Sequence, residues 1–161
     1  MTDTPDFDRL SRNWTYWSEL ALLGDISTST SCPDCAVRFS SDQYSVHLRF
    51  DGSWWIVDTV DDRNQRHDDT AKFSSYALAE KYLVWIWASA ARSVVRAPSL
   101  GPALYGLGFA SDVNATPISA GIYELRSTEG SAVLMEPYAT IISHLIHKSQ
   151  DEIEQMVRTG V

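Results

Sequence analysis

The chain has 161 residues, 44% of them hydrophobic and 21% charged, and 13 Lys and Arg stand against 21 Asp and Glu, a formal net charge of −8. That length suffices for one domain, residues 1–161, with a core that needs no metal or disulfide staple, and the composition argues against disorder. The acidic balance opposes a phosphate backbone or an anionic membrane surface and suits a basic partner or a basic cleft. Six tryptophans predict tight packing or an adhesive patch. The acidic start MTDTPDFD is no secretion signal, and no apolar run is long enough to cross a bilayer, so a soluble, cytoplasmic protein is expected.

Thr4-Pro5-Asp6 is a helix-start signal: a capping hydroxyl, a proline at the first helical position and an acid at the positive end. Phe7, Leu10, Trp14, Trp17 and Ala21 follow at helical spacing, with Gly24 as the stop. Ser27–Ser31 reads as a polar loop running into Cys32-Pro33-Asp34-Cys35, and Ala36–Ser40 as a short strand. From Tyr44 to Phe50 the alternation is clean. Tyr44, Val46, Leu48 and Phe50 take one side; Ser45, His47 and Arg49 take the other. Asp51-Gly52 is a hairpin turn, and Ser53–Val60 is the returning strand.

Asn64–Ala71 has no periodicity and reads as an exposed loop. Ser74 or Ser75 caps a helix with Tyr76, Ala79, Leu83, Ile86, Ala90 and Val94 along one stripe and Leu78, Tyr82, Trp85 and Trp87 on other faces. A helix apolar nearly all round is usually central. Pro98, Gly101 and Pro102 end it, and Gly101–Gly108 reads as a turn-rich crossover. Phe109–Ile118 is of no definite type. Gly121–Ser127 and Ala132–Glu136 read as strands about a Gly130 turn, and Pro137 breaks the second. One closing helix carries Ile142, Leu145, Ile146, Ile153, Met156 and Val157 and ends at Gly160. There is no residue-level repeat. The order predicts an α+β fold with an antiparallel sheet, about three helices and two strand-then-helix halves.

No nucleophile elbow, phosphate loop, dinucleotide fingerprint or HExxH zinc motif is present, and no cofactor is expected. Cys32 and Cys35 have the spacing of half a zinc site or of a thiol–disulfide pair. His144 and His147 are the nearest thing to a second half, but helical phasing puts them opposite the apolar stripe. A redox site wants its cysteines at a helix start, whereas here a Ser-rich loop leads into a strand. The loop therefore reads as a surface turn with a reducible pair.

The carboxylates Asp58, Asp61, Asp62, Asp68 and Asp69 are interleaved with Arg63, Arg66 and His67, cations that would repel a metal. Two readings stay open, a solvated charged loop and a docking element offered to a basic partner surface. Trp54 and Trp55 must point to opposite sides of the sheet, one into the core and the other toward a second layer or a partner.

Phe50-Asp51-Gly52-Ser53-Trp54-Trp55, the aromatic helix from Ala79-Glu80-Lys81-Tyr82-Leu83 to Ala91-Arg92-Ser93, the Gly/Pro crossover, the strand pair Gly121–Met135 and Ser143-His144-Leu145 resemble a family of bacterial immunity proteins, immunity protein 61. The resemblance covers most of Tyr44–Val161; the N-terminal helix and the CPDC loop lie outside it. It implies a small cytoplasmic non-enzyme that binds a cognate toxin domain and blocks it. In the family's best-known system that toxin hydrolyses NAD. The residues themselves supply the suggestion that the Asp58–Asp69 segment docks. Two rival expectations stand beside it: a chaperone or adaptor holding a secreted client, and a zinc- or thiol-dependent enzyme at Cys32 and Cys35.

Overall fold

A computed structural model describes residues 4–161. The first helix, α1 (Asp8–Leu20), buries Leu10, Trp14 and Trp17 as the apolar spacing predicts. It begins later than the Thr4-Pro5 signal, with the Asp6 carboxylate accepting the Asp8 N–H at 2.9 Å. It stops at Leu22 rather than Gly24. Leu22 is left-handed (φ 62°), its N–H donates to the Glu19 carbonyl, and the Leu23 N–H donates to the Ser18 carbonyl. The long helix α2 (Tyr76–Val94) starts as predicted, with Ser75 Oγ accepting the Leu78 N–H. It ends in the same motif, with Arg96 at φ 59° and the Ala97 N–H donating to the Arg92 carbonyl. Glycine usually fills that position, and a side chain there costs about 1 kcal/mol.

Among the described residues, eight strands form one antiparallel sheet: β1 (Ser27–Ser29), β2 (Val37–Ser40), β3 (Ser45–Phe50), β4 (Trp55–Val60), β5 (Arg66–Phe73), β6 (Asn114–Ser119), β7 (Ile122–Ser127) and β8 (Gly130–Met135). Their spatial order is β1-β2-β3-β4-β5-β8-β7-β6. The fold is α+β, and the two strand-then-helix halves join where Lys72 and Phe73 pair with Val133 and Ala132. Three strands fall outside the predicted pattern: β1 in the segment read as a polar loop, β5 in the segment read as an exposed loop, and β6 in the segment of no definite type.

Among the described residues the helices number five rather than about three. Short α3 (Gly101–Gly106) occupies the crossover, and the closing helix is two, α4 (Tyr138–Ser143) and α5 (Gln150–Arg158). The break is chemical. Ser149 Oγ accepts the Glu152 N–H at 3.1 Å while Glu152 Oε1 accepts the Ser149 N–H at 2.9 Å, a reciprocal cap that starts a new helix.

Alternation along the strands sends Val37, Phe39, Val46, Leu48, Val57, Ala71, Phe73, Leu125, Ala132 and Leu134 into one core with Trp14, Trp17, Trp85 and Trp87. Trp14 stacks against Phe39, Tyr44 and Trp87, and the Trp87 indole N–H donates to the Tyr44 hydroxyl at 2.6 Å. Trp55 packs against the edge of that core beside Phe7 and Tyr76, and Trp54 is half-buried. The opposite face of β2–β5 is left to Arg38, His47, Arg49, Ile56, Asp58 and Lys72, and it holds the chemistry described next.

Candidate partner-docking surface

The segment read as an exposed loop, Asn64–Ala71, is mostly strand β5. Its first half pairs with β4 (Thr59 with His67, Val60 with Arg66), whereas β8 reaches only Lys72 and Phe73. Residues 66–69 therefore project beyond the neighbouring strand with both faces wet, which is why no apolar alternation marks them. Between Val57 and Thr59 the register slips: Asp58 alone stands opposite the stretch Asp68–Thr70. This is a bulge, and Asp69 sits in it with φ 55°.

Asp58 holds the bulge. Although counted with the docking carboxylates, it is 0% exposed. Its oxygens accept the Asp69 N–H at 2.9 Å, Arg49 Nε at 2.7 Å and Arg66 Nη2 at 3.1 Å. Burial pushes its carboxyl up, but the Arg49 hydrogen bond, the Asp69 N–H, the Arg49 charge and the Arg66 hydrogen bond together hold it below the ordinary carboxylate range. Arg49 and Arg66 reach onward to Asp69, Asp68 and Asp34. Asp58 is thus an internal post under the charged surface, not part of that surface.

The β4–β5 turn is built by Asp61. One of its oxygens accepts the Arg63 and Gln65 N–H groups at 3.0 and 2.9 Å; the other lies 3.2 Å from His67 Nε2. These bonds, the Gln65 N–H first and His67 next, lower its carboxyl. Asn64 takes the left-handed position of the turn, φ 62°. Asp62 and Arg63 are left exposed at the tip.

Beside that tip runs a groove of about 480 Å³. Ala21 and Leu23 from the end of α1, Tyr44, Val60, and Ala90 and Val94 from the end of α2 supply apolar lining, and Asp61 and Asp62 form an acidic rim. A second, polar hollow of about 440 Å³ shares Gln43, Tyr44, Val60, Asp61 and Asp62 with it, so this ridge separates two concavities. Ala90 and Val94, which spacing places on one stripe of α2, are exposed groove residues. Of the predicted docking set, Asp61, Asp62 and Arg63 meet the groove or its tip; Arg66, Asp68 and Asp69 lie on the adjoining strand; Asp58 lies beneath.

Cys32 and Cys35 are joined by a disulfide in a loop folded over the outer face of the sheet. The histidines considered as their partners are engaged elsewhere: His144 Nε2 with the Gly108 carbonyl, and His147 with Asp112 and Glu129. The imidazole beside the pair is His47, with Nδ1 3.8 Å from Cys32 Sγ. Burial, then the Arg66 charge, lowers its pKa from the ordinary histidine value. Strand alternation had already put His47 on this face; pairing with Arg38 of β2 is what carries it to the loop.

No helix among the described residues is long and apolar enough to cross a membrane. No family model matches the chain, and no curated protein matches it. Among solved structures the chain is similar to Rv3902c from M. tuberculosis, with a TM-score of 0.69 at 14% identity over 90% of this chain and 86% of that one. At that identity the likeness is one of fold.

Proposed function

We propose that this chain is a single-domain immunity protein that binds a cognate bacterial toxin domain in the cytoplasm and blocks it sterically. The observation that carries the reading is the groove at the ends of α1, α2 and β4, with its apolar lining and acidic rim. Apolar contact area holds a complex, and complementary charge steers its formation. Support comes from the fold shared with Rv3902c from M. tuberculosis, and from the resemblance of most of Tyr44–Val161 to immunity protein 61.

The toxin implied by that resemblance hydrolyses NAD. A cleft that binds a pyrophosphate is basic, so an acidic protein is electrostatically suited to fill it. Asp61, Asp62 and Arg63 would make the direct contacts, with Arg66, Asp68 and Asp69 flanking them. No group transfer is required of the immunity protein itself.

Co-expression with the cognate toxin domain tests this. The chain is expected to restore growth, to co-purify with the toxin at one to one, and to inhibit NAD hydrolysis competitively with substrate. A chaperone or adaptor would bind the toxin without competing with its substrate. Failure either to protect or to co-purify would end the proposal.

A further inference from the structure

A second cluster on the outer sheet face takes no part in the groove. Cys32, Asp34, Cys35 and His47 each present a ligand atom, and these four atoms lie within 4.8 Å of one another. We propose that, once the Cys32–Cys35 disulfide is reduced, this cluster binds one Zn²⁺ through both thiolates, His47 Nδ1 and the Asp34 carboxylate.

The spacing already suits that ion. Zinc–sulfur bonds of about 2.3 Å and zinc–nitrogen or zinc–oxygen bonds of about 2.0–2.2 Å set tetrahedral neighbours roughly 3.5 Å apart. Cys32 Sγ is 3.8 Å from His47 Nδ1 and 3.1 Å from Asp34 Oδ1. The turn of the loop brings the two cysteine Cα atoms within 5.3 Å, so side-chain rotation can part the sulfurs to the roughly 3.8 Å that two thiolates on one ion require.

Outer contacts hold the ligands. His47 is only 8% exposed, and its other ring nitrogen lies 3.3 Å from Ser45 Oγ, which fixes the ring with Nδ1 toward the loop. The second oxygen of Asp34 lies 3.4 Å from Arg66 Nη1. Two thiolates and a carboxylate around Zn²⁺ leave one net negative charge, and Arg66 and Arg38 stand beside it. Four protein ligands close the coordination sphere, which marks a structural ion tying the Cys32–Cys35 loop to β3. Thiolate and imidazole donors favour zinc over calcium or magnesium.

The balance is simple. A dithiol reductant delivers two electrons and two protons to the S–S bond, giving two thiols and leaving the reductant as its own disulfide. Zn²⁺ then displaces both thiol protons to solvent. The site and the disulfide are therefore alternatives, exchanged by redox state.

The test uses the full chain, reduced with a phosphine under argon and titrated with Zn²⁺ against a chromophoric chelator. One zinc per chain is expected. Oxidation to the disulfide should weaken binding at least 100-fold, and Cys32→Ser and His47→Gln at least tenfold each, while His144→Gln leaves it unchanged. Cobalt in place of zinc should show a thiolate-to-metal charge-transfer band that Cys32→Ser weakens and the double variant Cys32→Ser, Cys35→Ser abolishes. Well below one zinc per reduced wild-type chain would overturn the proposal, a readout that needs no variant to fold. So would one zinc bound equally well by the oxidised protein or by Cys32→Ser. Neither outcome bears on the groove.

Discussion

Asp58→Ala is expected to lower the unfolding free energy by about 3 kcal/mol, a fall of roughly 6–12 °C in melting temperature for a chain of this size. The loss has three parts. The Asp69 N–H loses its acceptor, Arg49 and Arg66 lose their shared anion, and the bulge loses what holds its left-handed residue. Both guanidiniums keep partial access to water, which keeps the cost at the lower end for a broken buried ion pair. Asp58→Asn retains an acceptor for the Asp69 N–H without the charge, and should fall between.

The same carboxylate sets a pH dependence. Its folded pKa is depressed, so the stability it contributes is complete above the unfolded value of about 3.9 and is lost as pH falls through the folded value. Urea unfolding of the wild type should therefore weaken below about pH 4, and the Asp58→Ala curve should be flatter there. A variant within 0.5 kcal/mol of wild type at neutral pH would remove Asp58 as the post of this surface.

Arg92→Met is expected to cost about 3 kcal/mol as well, for a different reason. Arg92 is 4% exposed, yet its guanidinium donates to carbonyls: Pro98 through Nε and Nη2, and Val157 and Thr159 through Nη1 at 2.7 and 2.6 Å. It lies in the last turn of α2 and reaches the end of α5, so one cation serves the negative ends of two helices. Methionine matches the stem but leaves those carbonyls dry and unpaired. Arg92→Lys cannot span both groups and should recover less than half of the loss. Urea midpoints measure all three proteins. In Arg92→Met, hydrogen exchange should also quicken first in α5; a uniform change would argue against a local clamp.

Both residues sit where sequence patterns are least readable. Asp58 lies in a strand with clear apolar alternation, but a carboxylate beside a charged run is read as part of the run. Its burial depends on Arg49 and Arg66, which reach it from β3 and β5. The first half of strand β5 carries no apolar alternation because residues 66–69 project past β8 and have no dry face to encode. By contrast, the hairpin about Asp51-Gly52 and the start of α2 at Ser75 follow from local turn and cap chemistry, and both stand in the structure. The Ser149–Glu152 capping box is equally local, but the unbroken apolar stripe from Ile142 to Val157 favours one helix over two. Left-handed Leu22 and Arg96 carry no sequence signal at all.

The groove was invisible for another reason. Ala21, Tyr44, Val60 and Val94 come from four separate parts of the chain, and each is an ordinary apolar residue. Spacing along α2 puts Ala90 and Val94 on the apolar stripe, but none of the described residues covers the last turn of that helix on this side. The acidic rim was readable as charge, though its position beside an apolar hollow was not.

Titration of the cognate toxin domain with wild type and with the double variant Asp62→Lys, Val94→Arg tests the central claim most directly. Val94 is 49% exposed and Asp62 is exposed, so the variant should melt within 2 °C of wild type. Binding should weaken at least 100-fold, about 2.7 kcal/mol, with protection lost in the cell. Ile118→Lys, an exposed change on β6, should bind as wild type does. A double variant that binds and protects as well as wild type would contradict docking through this groove.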